Sequence, residues 1–248
     1  MKKTACSLFL LALLSSPAWA TISDPTISEP SGTFTTTASW THTPVGGGAA
    51  PEGVFLVIVQ NGGGGDDCGT SMSYGGVTMT EVALSPSRKG TGESSSVYTY
   101  FLGSASTSPG SGAQTVSVTC TGSFVKTAYV VSVEATEGDM TIVDTTSIFG
   151  VTANPSDTLS LGGVTAYCLE GGHSGVAAVG NVSPPTGWAE DSEFDGGSQI
   201  LYMYTYSTIA GSDVTMGASQ GNDDYNILGV CAREPAAAGG ARRVMVVN

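Results

Sequence analysis

The stretch Gly172-His173-Ser174-Gly175 comes nearest to a nucleophile elbow, whose G-x-S-x-G form exposes a serine on a sharp strand-to-helix turn. Here the second glycine falls one place early, Val176 occupies its position, and no histidine follows Ser174 to serve as base. A glycine-rich turn between strands is the expected outcome. His42 and His173 are the only histidines. Neither has an acidic or cysteine partner at ligand spacing, so a transition-metal centre is not expected.

Carboxylates offer more. Glu134, Glu137 and Asp139 cluster, as do Glu190, Asp191, Glu193 and Asp195. Glycosidases need two carboxyl groups about 5–10 Å apart, one with a raised pKa, but both sets fall in turn-like, solvated stretches. Hard oxygen ligands in glycine-bearing turns suit Ca²⁺ better. Asp66 and Asp67, Asp191 and Asp195, and Asp223 and Asp224 are the candidate ligands of a structural Ca²⁺, although none sits in the twelve-residue EF-hand pattern. No other cofactor and no catalytic set is expected. Trp188, in a loop after Pro184-Pro185-Thr186-Gly187, and Tyr202, in the Tyr202, Tyr204, Tyr206 stripe, are the candidate sugar-stacking rings. The competing reading of such alternation is a strand turning one aromatic face into a core.

The elements that must carry these residues are strands. Val54–Val59 is a continuous apolar run, as expected of a strand covered on both faces. Met72–Tyr74, Gly75-Gly76 and Val77–Val82 read as a hairpin. Thr115–Cys120 alternates, so Val116, Val118 and Cys120 share a face, and Tyr129, Val131 and Val133 share another. Further candidates are Val97–Leu102, Leu159–Leu161, Val164–Leu169, Val176–Val179, Ile200–Tyr206, Val214–Ala218 and Ile227–Cys231, with Val244–Val247 as an edge-closing segment. Gly, Pro, Asn, Asp and Ser punctuate these runs, and outside the first residues nothing recurs with helical period. The predicted fold is all-β, an antiparallel two-sheet β-sandwich of jelly-roll or Ig-like type.

Residues 1–20 read as a secretory signal peptide: Lys2 and Lys3, an apolar stretch from Ala5 to Leu14, then Ala18-Trp19-Ala20. Residues 21–234 are expected to form one sandwich domain, with two tandem sandwiches split near Gly150 as the lesser alternative. Residues 235–248 are an Ala/Gly spacer and a basic tail carrying Arg242 and Arg243. Cys68, Cys120, Cys168 and Cys231 remain after the leader. An even set in an exported chain favours two disulfides in any of three connectivities, of which one bridge in each half (Cys68–Cys120, Cys168–Cys231) is preferred.

Charge narrows the partners. The chain carries 8 Lys and Arg against 21 Asp and Glu, a net charge of −13, which disfavours phosphate backbones and anionic bilayers alike. No nucleic acid and, after leader removal, no membrane is expected. Only 12% of residues are charged, about half the usual share, so edge strands have little charge to keep other chains away.

Several stretches resemble a loosely defined family of secreted bacterial and phage-associated β-sandwich proteins. They are Trp40-Thr41-His42-Thr43 leading into Gly53–Val59, Met72-Ser73-Tyr74-Gly75-Gly76-Val77-Thr78-Met79-Thr80, Tyr98–Leu102, and Gly112-Ala113-Gln114-Thr115-Val116-Ser117-Val118-Thr119. The resemblance spans about residues 35–135 and implies an Ig-like or jelly-roll sandwich with a surface or virion role. It supplies no catalytic residues, and the cysteines are not part of its pattern. The expected function is therefore an exported, non-enzymatic structural or adhesion protein, found in the extracellular space or on a virion surface and partnered by copies of itself or by other surface proteins. A lectin-like glycan-binding module is the alternative, and a sandwich-fold polysaccharide-degrading enzyme the third.

Overall fold

The computed structural model describes residues 22, 25–44, 50–62, 68, 71–87, 95–105, 108–135, 138–175, 182–195, 199–206 and 211–235, with the Asp195 side chain outside this set. The leader, Asp66, Asp67, Val176–Val179 and the tail from residue 236 lie outside it.

The run at Val54–Val59 belongs to a strand buried along almost its whole length, and the reason is that sheets pack on both of its faces. That strand, β3 (Gly53–Asn61), lies at the centre of a five-stranded antiparallel sheet ordered β1-β9-β3-β7-β6. Its neighbours are β1 (Thr26–Ser28), β9 (Val125–Val133), β7 (Ser95–Leu102) and β6 (Thr80–Glu81). A second five-stranded sheet runs β10-β16-β12-β14-β13. It comprises β10 (Thr141–Thr152), β16 (Asp223–Arg233), β12 (Ala166–Ser174), β14 (Ile200–Tyr206) and β13 (Trp188–Asp195). The two sheets pack face to face, as a two-sheet sandwich requires. Phe55, Val57, Val59, Tyr129, Val131 and Val133 on one side meet Tyr167, Leu169, Leu201, Met203, Leu228 and Val230 on the other.

The architecture goes beyond two sheets, because each inner sheet is covered again on its far face. A four-stranded sheet of β2 (Thr37–His42), β8 (Gln114–Thr119), β4 (Ser71–Tyr74) and β5 (Val77–Thr78) covers the first. Between them lie Val54, Leu56, Ile58, Tyr98 and Val130, facing Met72, Tyr74, Val116 and Val118. A two-stranded sheet of β11 (Ser156–Leu159) and β15 (Val214–Gly217) covers the second, enclosing Cys168, Tyr202, Tyr204 and Ile227 with Leu159, Val214 and Met216. Alternate residues of one strand thus enter different cores, which explains why β3 reads as a continuous apolar run.

The same topology occurs twice. Taken in chain order, β1-β9-β3-β7-β6 and β10-β16-β12-β14-β13 are one pattern, and the outer pairs β2–β8 and β11–β15 match as well. The joint between halves falls between β9 and β10, whereas Gly150 sits inside β10 opposite Tyr225. Each half holds one disulfide, Cys68–Cys120 in the first and Cys168–Cys231 in the second. The bridges are not equivalent: the second joins directly opposed residues of β12 and β16, the first ties the segment after β3 to the end of β8.

Two glycine positions are dictated by geometry. Gly75 and Gly76, at φ +58° and +82°, make the β4–β5 turn in the left-handed region that glycine enters without steric cost. Gly171 packs against the facing inner sheet; a Cβ there would overlap Cγ1 of Val57 and stand 3.2 Å from Cγ1 of Val97. Gly171→Val is accordingly expected to destabilise the chain by about 2–3 kcal/mol through overpacking, read as a lowered urea midpoint at unchanged m-value.

Candidate functional site

Among the described residues, the following places bring chemically capable side chains together. The most accessible is a cleft at the seam between the inner sheets. Glu29 and Pro30, just beyond β1, and Thr127 of β9 form one wall, with Ser192, Glu193 and Phe194 of β13 opposite. Ser192 Oγ donates to Glu29 Oε2 at 3.2 Å. Beneath lies Tyr129, its phenol pushed upward by burial and by the charges of Glu29 and Glu193. This is a two-carboxylate cleft of about 90 Å³, against roughly 300 Å³ or more for a small-ligand pocket. It has room for a few waters and none for a sugar ring.

A serine–histidine network joins β1, β2 and β9. His42 is fully buried, with Nδ1 2.8 Å from Ser28 Oγ and Nε2 2.8 Å from Ser132 Oγ. Trp40 Nε1 donates to the same Ser28 oxygen at 3.0 Å. Burial lowers the His42 pKa from 6.5 to about 4, so the ring is neutral at pH 7 and a poor base. The indole bond draws electron density from Ser28, and Ser132 is closed to solvent. The network clamps three strands. Because the folded pKa is depressed, its stabilisation is present above pH 6.5 and is lost as pH falls through about 4. An acid loss on the order of 2–3 kcal/mol is expected, and His42→Asn should flatten the stability–pH curve between pH 6.5 and 4.

The third place is Glu170, fully buried between the second inner sheet and its cover. In the first half, Leu56 of β3 is flanked by Val130 and Tyr100; in the second, Glu170 of β12 is flanked by Gly229 and Tyr204. A carboxyl group therefore occupies a core position that is leucine in the other half. Its Oε2 accepts the Gly217 N–H at 2.9 Å and its Oε1 has no partner. Desolvation raises its pKa well above the ordinary carboxylate value, opposed in part by the Gly217 N–H. Since the folded pKa is raised, the stability it supports is full below about pH 4.5 and is lost as pH rises through the folded value. Glu170→Gln should remove this alkaline decline and leave the variant the more stable protein at pH 8–9, as checked by urea titrations across that range.

The residues singled out from sequence are distributed otherwise. Trp188 is only 6% exposed, with Nε1 donating to the Thr215 carbonyl at 2.7 Å. Tyr202 is fully buried, stacked on Tyr204 at 4.4 Å and lying over Gly172, where a Cβ would collide with its ring. Both side chains are packed in the core beneath the second cover sheet. Asp191, near a register shift of β13, is exposed and hydrogen-bonded to Thr205. Asp223 and Asp224 stand at the start of β16 on a different strand, crowding Gly175. Asp191 therefore stands apart from Asp223 and Asp224, and among the described residues no group of three or more His, Cys, Asp or Glu is placed to hold a metal ion. Asp66, Asp67 and the Asp195 side chain are outside the description. His173 and Ser174 are buried in β12 rather than displayed on a turn. A shallow depression of about 290 Å³, lined by Asn154, Pro155, Ser156, Pro185, Ala218 and Ser219, contains no titratable side chain.

Ser28 and Glu170 carry no local sequence signal that marks them. Ser28 stands between Pro25 and Pro30 in no recognisable motif. Glu170 would have become visible on aligning the halves, through the Tyr-x-Tyr of β7 (Tyr98, Tyr100) that recurs in β14 (Tyr202, Tyr204). Compared with known proteins, the chain matches no family model, no curated protein and no solved structure.

Proposed function

We propose that the chain is an exported, non-enzymatic structural or adhesion protein that assembles with copies of itself or with other proteins on a cell, filament or virion surface. One observation carries the reading: side chains capable of chemistry are turned into the cores as fastenings. Trp188, Tyr202, His42, His173 and Glu170 are all buried, and the accessible two-carboxylate cleft is below the size of a substrate. Two disulfides fit an oxidising compartment, and the signal-like leader, the sparse surface charge and the resemblance to secreted and phage-associated sandwiches point the same way. The lectin alternative relies on Trp188 and Tyr202, both of which are buried.

Sedimentation velocity between micromolar and 100-micromolar protein, paired with a glycan array and a polysaccharide panel, tests the proposal. Concentration-dependent larger species without glycan binding or turnover are expected. A monomer at every concentration that cleaves or binds a polysaccharide would overturn it.

A further inference from the structure

We propose that the outer edge of β10 pairs antiparallel with the same edge of a second copy of this chain, about a twofold axis at Phe149. The inference rests on the assembly reading above and names the surface that performs it. β10 is the terminal strand of the second inner sheet and, among the described residues, is bonded to β16 alone. Its 12 residues keep unbroken register with β16 from Asp144 to Thr152, and Phe149 and Val151 are each 52% exposed. The opposite edge of this sheet, β13, is guarded by Glu190, Asp191, Glu193 and Asp195 and by a register shift. The edge strands of the first inner sheet, β1 and β6, have three and two residues. Charge, irregularity and shortness are the usual defences of a strand edge. The far half of β10 has none of them.

The main chain selects the register. Gly175 N–H donates to the Asp224 carbonyl at 2.8 Å, so Asp224 directs its main-chain groups toward β12. Val151, opposite Asp224, therefore points its own N–H and C=O away from β16, as do Phe149, Ser147 and Thr145 at alternate positions. The Thr145 N–H is already held by Asp144 Oδ1 at 2.9 Å. Ser147, Phe149 and Val151 remain, a set symmetric about Phe149. Antiparallel pairing about that residue places Phe149 opposite Phe149 of the second copy and Ser147 opposite Val151, closing about six main-chain hydrogen bonds. The two Phe149 rings meet directly, and each Val151 lies diagonal to the other copy's Phe149, within cross-strand reach. Ile148 falls opposite Gly150, where no side chain competes for the space. Symmetry and charge together argue for a second copy as the occupant. A chain of net charge −13 repels its copies wherever acids face one another, and Thr146–Thr152 carries no charge. About six bonds is the low end for a specific interface, so the dimer is a reversible one.

Sedimentation velocity and hydrogen exchange on the mature chain at about 1 and about 100 micromolar, beside Phe149→Lys/Val151→Lys, test the proposal. A dimer is expected at the higher concentration, with a dissociation constant raised at least about tenfold in the variant. Amides of Ser147, Phe149 and Val151 in the parent chain should exchange about tenfold faster on dilution. Both substituted side chains are exposed, so far-ultraviolet circular dichroism and the urea midpoint should match the parent. Dimers that form equally well in the variant would overturn this inference and leave assembly to another surface. A parent chain monomeric at both concentrations would overturn it together with self-assembly, and β10 amides protected in that monomer would show the edge covered within one molecule.

Discussion

Trp188→Ala is expected to destabilise the protein by about 3–5 kcal/mol, the range for truncating a large buried aromatic. The indole packs edge-on against Tyr206, with centroids 5.5 Å apart and planes at 77°, and its N–H holds the Thr215 carbonyl of β15. Trp188 thereby fastens the last strand of the second inner sheet to the sheet that covers it. Truncation leaves a cavity in the Tyr202–Tyr204 core and an unpaired carbonyl, and these costs add. Urea unfolding followed by far-ultraviolet circular dichroism measures the loss. An exposed ligand-stacking ring would behave differently, with a change within about 0.5 kcal/mol. Trp188→Phe, which keeps the packing and loses the N–H, should recover more than half of the stability.

A comparable effect is expected from Cys168→Ala combined with Cys231→Ala. The bridge spans a sequence separation of 63, and closing a loop of that size in the unfolded chain corresponds to about 4 kcal/mol. Both sulfurs lie in the core around Ile227 and Tyr202, so alanine exposes no buried hydroxyl, and the entropic loss dominates. For a domain of this size the melting temperature should fall by about 10 °C. Removing Cys68 and Cys120, at a separation of 52, should cost about as much, because the dependence on loop length is logarithmic. Non-reducing peptide mapping fixes the pairing; free thiols at all four positions would contradict the fold as described.

Much of the fold was legible because strand patterning is local. The Val54–Val59 run foretold a strand covered on both faces, the Gly75-Gly76 pair foretold the β4–β5 turn, and the alternation at Thr115–Cys120 foretold which side chains enter the core with Met72 and Tyr74. The number of layers was not legible. Patterning says that a face is covered, not by what, and the cover over Tyr202 is made by β11 and β15, two four-residue strands with weak signals of their own. For the same reason the burial of Trp188 and Tyr202 was not legible, since exposure depends on a distant sheet. The doubled topology was legible in principle, but its clearest marks, Tyr98 and Tyr100 against Tyr202 and Tyr204, stand in halves whose facing core residues have diverged. Leu56, Ile58 and Val130 of one half correspond to Glu170, Gly172 and Gly229 of the other, and the space left by the glycines is taken by Tyr202 and Met216. The His42 network escaped because it is assembled from three strands far apart in sequence.

The central claim is that this chain works as a scaffold held against its neighbours. Cross-linking mass spectrometry on native, unlysed source material addresses it most directly. The account predicts intermolecular links, either between copies of the chain or to other surface proteins, in material that stays with the cell, filament or particle after washing. Recovery of the protein as a free monomer in the medium, showing intramolecular links alone, would contradict it.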